Sequence, residues 1–402
     1  MPKLVVMKFG GTSVGSVDRI RNVARRCLAV QAKGDHVVVI VSAMSGETNR
    51  LLALAHEVTK VPSAREMDVI AATGEQVSAA LTALAIHQEG GQARSLLGHQ
   101  VRILTDDAFS KARIRAIEGS KIHETVQSGA VAVVAGFQGV DDDGNITTLG
   151  RGGSDTTAVA VAAAIGADVC EIYTDVDGVY TTDPNVCPSA RKIDRISYDE
   201  MLELASLGAK VLQIRSVEIA KKYGVPVHVR TSFSDVEGTM VVGEESALEE
   251  VVVSGVAYDK NEARVSIGGM QDRAGLMAEI FTALAAKNVS VDMIVAIAGS
   301  PDVTFTISKT DLARVRPIIE ETAKKVGAKR VDFDEDVVKV SIVGLGMRSH
   351  AGVAAKMFSL LAEKGISIDA ISTSEIKVSV LLASKHMETA VRTLHDGFGL
   401  AR

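Results

Sequence analysis

Leu4-Val5-Val6-Met7-Lys8-Phe9-Gly10-Gly11-Thr12-Ser13 is the stretch on which the architecture turns. An apolar run ends at a lysine and two adjacent glycines. A helix follows from about Val17, with apolar residues at Ile20, Val23, Ala24, Cys27 and Leu28 in 3.6-residue spacing and Gly34 to close it. Working outward, residues 37–41, 101–104, 131–135, 169–173 and 227–229 repeat the Val- and Ile-rich signature and read as further strands. Runs unbroken by polar residues belong to a sheet covered on both faces. The expected fold over the first 230 or so residues is therefore α/β in three layers, around a mostly parallel sheet.

Composition narrows the function classes. The chain has 402 residues, 47% apolar and 23% charged, with 44 Lys+Arg against 50 Asp+Glu. A net charge of −6 with 3% aromatic residues and no Trp argues against nucleic-acid binding by a basic face with stacking platforms. No uninterrupted apolar run reaches the ~18–20 residues of a membrane span, and Met1-Pro2-Lys3 leads into a strand rather than a signal peptide, so a soluble chain is expected. Cys27, Cys170 and Cys187 are odd in number and far apart. They read as reduced thiols of a cytoplasmic protein, Cys27 and Cys170 as core filler. Nine histidines lack metal-ligand spacing, and no catalytic metal site is expected.

The style changes after about residue 245, past the acidic stretch Glu244-Glu245-Ser246-Ala247-Leu248-Glu249-Glu250. Val265-Ser266-Ile267, Ala274-Gly275-Leu276, Phe281, Leu284 and Val289-Ser290-Val291-Asp292 recur as Val340-Ser341-Ile342, Ala351-Gly352-Val353, Phe358, Leu361 and Ile366-Ser367-Ile368-Asp369. Gly275 to Gly352, Phe281 to Phe358 and Asp292 to Asp369 are each 77 residues apart. Two copies imply two small β-α-β units of one fold, a duplication and not a solenoid. The expected domains are 1–245, a linker at 246–262, and modules at 263–335 and 336–402.

Three glycine-bearing segments could carry chemistry. Lys8-Phe9-Gly10-Gly11-Thr12-Ser13 could present backbone amides and a point charge to an anion, or be a tight turn with a surface lysine. The lysine precedes the glycines, so it is no Walker A loop. Gly150-Arg151-Gly152-Gly153-Ser154-Asp155 opens an Ala-rich helix. Ser154 or Asp155 could be its N-cap, while Arg151 could offer a planar fork to a carboxylate. Tyr173-Thr174-Asp175 through Asp183-Pro184 is dense in turn formers and lacks calcium-loop spacing; a nucleotide-contacting loop fits better. Thr73-Gly74-Glu75 lies between two helical patterns, where Glu75 could serve only as a helix-dipole partner. Gly344-Leu345-Gly346 lacks the third glycine of a dinucleotide fingerprint, and the repeat explains it.

Taken with Val41-Ser42-Ala43-Met44 and the duplicated tail, these segments resemble the aspartokinases of the monofunctional type, which join an amino acid kinase fold to paired ferredoxin-like ACT modules. The resemblance runs through essentially the whole chain. It implies phosphorylation of the β-carboxylate of L-aspartate by ATP with Mg²⁺, at the head of lysine, threonine and methionine synthesis. It also implies roles: Lys8 bridging the transferring phosphoryl group, and Asp155 orienting that lysine and the glycine amides. Thr48, Glu75, Arg151, Gly152, Gly153 and Ser154 would hold aspartate, Glu75 meeting its ammonium and Arg151 a carboxylate. Lys8, Gly10, Gly11, Thr12, Ser13, Thr174, Asp175, Tyr180, Lys210 and Val211 would line the nucleotide site.

In the tail, Gln271-Asp272-Arg273-Ala274-Gly275 resembles the ACT loop that holds an amino-acid effector. Asp272, Arg273, Ala274, Gly275, Met277 and Asp292 are the implied contacts; otherwise these are turn and capping residues of a dimerising module. Feedback by lysine, threonine or both is implied, although Ala296 stands where many relatives carry Gln. ACT pairing implies a homodimer or a larger assembly. The rival readings are a kinase for acetylglutamate, glutamate or carbamate, whose families usually lack the tail, and a catalytically dead amino-acid sensor, against which Lys8, Arg151 and Asp155 speak together.

Overall fold

Each apolar run read as a strand contributes one, because β-branched side chains pack well on a sheet buried from both sides. The computed structural model describes residues 2–207, 211–244, 252–269, 273–296, 300, 302–325, 327–348, 350 and 352–401. The chain divides into two compact units, one of residues 1–179, 192–205 and 210–246, the other of 180–191, 206–209 and 247–402.

The first 246 residues build β1 (Leu4–Phe9), α1 (Val17–Gln31), β2 (His36–Val41), α2 (Glu47–Val58), α3 (Ala64–Gln88), β3 (Ala93–Leu96), β4 (Ile103–Thr105), β5 (Ile114–Ile117), α4 (Ser120–Gln127), β6 (Val131–Ala135), β7 (Gln138–Val140), β8 (Ile146–Thr148), α5 (Gly153–Ile165), β9 (Val169–Thr174), β10 (Arg195–Ser197), α6 (Tyr198–Ser206), α7 (Ile214–Tyr223), β11 (Val227–Thr231) and β12 (Thr239–Val242). Eight strands form one sheet in the order β10-β12-β11-β9-β1-β2-β6-β3, parallel from β11 through β3. On one face Met7, Phe9, Val39 and Val133 meet Ile20, Val23 and Cys27 of α1 and Ala79, Ala83 and Ile86 of α3. The alternate residues Val6, Val38, Ile40, Cys170 and Ile172 are buried on the other face, where α5 packs. The run at 101–104 goes elsewhere. β4 pairs with β5 and β7 in a separate four-stranded sheet, β5-β4-β7-β8.

α3 departs from expectation. Thr73-Gly74-Glu75 does not separate two helices but lies within this 25-residue helix. Gly74 is needed because a Cβ there would come within 2.8 Å of Ala43 Cβ. Among the described residues α3 alone is long and apolar enough to cross a membrane, yet it is a core helix with Asp68, Glu75, Ser78 and Thr82 buried along it.

The second unit contains β13 (Gly255–Asp259), β14 (Glu262–Gly268), α8 (Arg273–Ala285), β15 (Val291–Ala296), β16 (Val303–Ser308), α9 (Lys309–Lys325), β17 (Arg330–Asp334), β18 (Val337–Val343), α10 (Val353–Glu363), β19 (Ala370–Thr373), β20 (Lys377–Ala383) and α11 (Met387–Gly397). Two antiparallel sheets, β15-β16-β14-β17 and β13-β18-β20-β19, express the duplication. Each has its own core, with Leu284 in one and Leu361, 77 residues later, in the other. Met293, Val337, Ala370 and Leu381 join the two modules.

Two boundaries differ from the sequence reading. The stretch 246–262 holds β13, which pairs with β18, so the chain enters the second module's sheet before building the first. Residues 180–191, inside the expected catalytic segment, belong to the second unit, because Val186 is buried in the second module's core and Val256 N donates to Thr181 O at 2.7 Å.

Candidate active site

Parallel strands bring their carboxyl ends abreast, and the loops that leave them form the site. Lys8 lies in register with Ile40 of β2 and Ile172 of β9. Its alternation places the side chain on the α5 face, 8% exposed, with Nζ 2.6 Å from Asp155 Oδ1. The two are paired as opposite charges. Gly10 and Gly11 follow at once. A Cβ on Gly11 would stand 2.9 Å from Ala43 O, so the turn closes against the β2 loop only with glycine there. Gly10 N donates to Tyr173 O, Ser13 N to Gly10 O, and Ser13 Oγ lies 2.6 Å from Ser232 Oγ; Thr12 O accepts from Arg19 at 2.5 Å.

The facing loop is built by left-handed glycines. Gly150 and Gly152 have φ of +77° and +71°, and Gly152 caps α5 without a side-chain bond. This settles one alternative: neither Ser154 nor Asp155 is the N-cap. Asp155 occupies the first turn of α5, where the helix dipole favours its charge, and turns to Lys8. Arg151 is exposed, with no carboxylate partner among the described residues, while Gln213 Nε2 donates to its carbonyl at 2.6 Å.

A pocket of about 200 Å³ lies between these loops, lined by Lys8, Thr48, Glu75, Phe137, Arg151 to Asp155 and the loop residues Ser42, Ala43 and Gly150. That is below the ~300–1,000 Å³ of drug-sized sites and suits a small acid. Glu75 reaches it from the middle of α3. Its Oε1 accepts from Ala43 N at 3.0 Å, and its buried Oε2 has no hydrogen-bond partner. Burial pushes the carboxyl up to about 7, against the lowering effect of the Ala43 amide.

The structure thus gathers Lys8, Thr48, Glu75, Arg151, Gly152, Gly153, Ser154 and Asp155 around one cavity. Thr174 and Asp175 stand at the end of β9, next to β1, with Thr174 Oγ1 donating to Asp175 Oδ1 at 3.2 Å. Tyr180 belongs to the segment grouped with the second unit. Val211 lies in the turn before α7, and Lys210 lies outside the described residues. Among the effector candidates, Asp272 also lies outside them. Arg273 opens α8 and Ala274 and Gly275 follow within it, Met277 packs against the first module's core, and Asp292 is bonded by Lys339, which also holds Glu262.

Sequence reasoning missed several parts. Phe137, with φ of +67°, lines the pocket from the turn after β6; the Gly136 before it, directly past an apolar run, was the available signal. Asp68, one turn inside α3, accepts from Thr148 N at 2.8 Å, Thr148 Oγ1 at 2.7 Å and Ser110 N at 2.9 Å, and so anchors the strand that leads into Gly150. Arg215 holds Leu149 O at 2.7 Å. No local pattern distinguishes such residues from surface charges.

Comparison with known proteins agrees with this architecture. The amino acid kinase family pattern matches residues 3–231, and the ACT domain pattern matches 265–322 and 340–398. An aspartate kinase of Pseudomonas putida is 53% identical over 99% of this chain and 98% of its own, and an aspartokinase of Helicobacter pylori 51% over 99% of both. Escherichia coli aspartokinase III in complex with aspartate and ADP, in its R-state, superposes with a TM-score of 0.83 at 27% identity over 98% of this chain and 99% of that one. The same enzyme with lysine and aspartate, in its T-state, gives 0.80 at 27% identity over the same shares. With a lysine–aspartate pair at the carboxyl end of a parallel sheet in one unit and two ACT modules in the other, the chain belongs to the aspartokinases, the aspartate kinases of the amino acid kinase family.

Proposed function

We propose that the chain transfers the γ-phosphoryl group of ATP to the β-carboxylate of L-aspartate, giving 4-phospho-L-aspartate as the first step towards lysine, threonine and methionine. A carboxylate is already a nucleophile: its oxygen attacks the γ-phosphorus, the bond to the bridging oxygen breaks, and ADP leaves with the electron pair. No proton has to move. The obstacle is repulsion between an anion and a phosphoryl group whose equatorial oxygens stay charged, so catalysis is positioning plus neutralisation.

Lys8 supplies the neutralising charge and Asp155 orients it, while the Gly11 amide and the turn residues Gly10, Thr12 and Ser13 lie by the phosphates, the Gly10 amide being taken by Tyr173 O. Arg151 clamps an aspartate carboxylate and Glu75, once ionised, meets the ammonium. Thr48 and Gly152 to Ser154 complete the substrate's surroundings, and Thr174, Asp175, Tyr180, Lys210 and Val211 the nucleotide's. Mg²⁺ fits as an ion carried by the nucleotide: among the described residues, no cluster of three potential ligands lies at this pocket, and Asp155 is the carboxylate nearest Lys8. When bound, it draws charge from the phosphate oxygens.

The observation that carries the reading is the buried Lys8–Asp155 pair in the same small pocket as Glu75, whose second oxygen awaits a donor. The E. coli enzyme's complexes with aspartate, ADP and lysine support it. An effector role for the ACT modules, within a homodimer built through them, belongs to the same proposal. An ATP-dependent acyl-hydroxamate assay across aspartate, glutamate and acetylglutamate tests the substrate. Aspartate should dominate, and an equal rate with either rival overturns the assignment. Added lysine or threonine should lower the rate; indifference to both removes the feedback role.

A further inference from the structure

Three metal-ligand side chains meet in the second unit, one of them about 200 residues from the other two in sequence. Cys187 comes from the segment 180–191, and His395 and Asp396 from the last turn of α11. One potential ligand atom from each lies within 4.8 Å of the other two. Cys187 is buried and His395 is 0% exposed, while the Asp396 side chain is 68% exposed and leaves a path from solvent.

His395 supplies the second observation. Its Nε2 lies 2.9 Å from Thr181 Oγ1, which fixes the ring. Its Nδ1 is buried, has no hydrogen-bond partner, and stands 3.7 Å from Asp396 Oδ1, beyond hydrogen-bond range. Thr181 Oγ1 already accepts from Arg191 N at 3.1 Å and, as a hydroxyl, can also accept from Nε2–H, which leaves a bare lone pair on Nδ1. Buried polar atoms are seldom left so. Ser189 Oγ sits 3.2 Å from Cys187 Sγ, placed to donate to a thiolate. A ring held at one nitrogen while the other lies bare beside a carboxylate, with a thiol in the same cluster, is the usual setting of a metal-ligating histidine.

We propose that Cys187 Sγ, His395 Nδ1 and an Asp396 carboxylate oxygen form a binding site for a transition-metal dication, Zn²⁺ fitting the mixed sulfur, nitrogen and oxygen donors best. Water entering past Asp396 completes the coordination. The thiol gives its proton to solvent as the sulfur bonds the ion, so uptake releases protons. Both sources of ligands are already joined, since Arg392 Nε donates to Val186 O at 2.7 Å. The ion fastens the segment 180–191 to α11, and its place lies outside the catalytic pocket.

The test uses the whole chain, freed of metal with a chelator under reducing conditions and without nucleotide. Zn²⁺ is titrated with metal analysis after gel filtration, and Co²⁺ with its thiolate charge-transfer absorption. The wild type should retain one equivalent of Zn²⁺ and show the cobalt–thiolate band. Cys187→Ser should lose the band and weaken binding by at least about 100-fold, and Asp396→Asn, at an exposed position, by about 10-fold. A wild type that retains no Zn²⁺ at micromolar free ion overturns the site, as does a folded Cys187→Ser chain with unchanged uptake. If circular dichroism shows that Cys187→Ser does not fold, Asp396→Asn decides, and unchanged affinity there overturns the proposal.

Discussion

Each unit buries a lysine against acids, and the two lysines serve opposite ends. Among the described residues Lys8 has one ion-pair partner, Asp155, and it lines an open pocket. Lys339, 4% exposed on β18, is gripped by Glu262 and Asp292 from the other module. Burial works against the Lys339 ammonium, yet the two carboxylates outweigh it and hold its pKa above the ordinary value. A lysine with one acid and room in front can take up another anion; a lysine closed between two acids can only hold them together. The duplication sharpens the point. Asp369, the counterpart of Asp292, is met by Arg264 at 3.0 Å, so each module's repeated aspartate is engaged by a base of the other module. Asp292, expected to meet an effector ammonium, is occupied in this state by a side chain.

This contrast can be broken at either end. Lys339→Met should be the costliest change, since it strands two acids and lowers the second unit's stability by about 3–5 kcal/mol. Urea unfolding measures it, and a loss no larger than that of a surface substitution would show that Lys339 holds nothing. Lys8→Ala should cut the turnover number about 10²–10³-fold while the chain still folds, its melting temperature falling because the buried Asp155 Oδ1 loses its cation. Near-normal turnover would remove the mechanism. Arg151→Ala should raise the aspartate KM about 10- to 100-fold and leave that for ATP little changed, the weight of a charged hydrogen bond.

Glu75 gives the smallest effect and the most specific. Its carboxyl is raised to about 7, so its contribution to the stability of the ligand-free chain is complete below its ordinary pKa and disappears as the pH rises through 7. Only the ionised form can meet an ammonium. The aspartate KM should therefore rise about tenfold per pH unit below 7, and Glu75→Gln should flatten that profile while stabilising the ligand-free chain above pH 7. A flat wild-type profile would separate Glu75 from the ammonium.

Much of the site could be read before any coordinates, because its parts are local. Gly11, Gly150 and Gly152 declare themselves by residue type, since a Cβ on Gly11 would clash with Ala43 O and the other two take left-handed backbone. Glu75 could be singled out but not understood: its place in mid-helix and its unpartnered oxygen depend on Ala43 packing over Gly74. Asp68 had no periodic or compositional mark, and Phe137 only the Gly136 before it.

The chain alone settled the alternating strands and helices, the two glycine turns and the duplicated tail, because periodicity and backbone freedom are properties of neighbouring residues. Folding decided which acid faces Lys8, that β13 joins β18, and that Cys187 meets His395 and Asp396. Those pairings join points far apart in sequence. They exist only because the buried cores of each unit hold the intervening chain on one path.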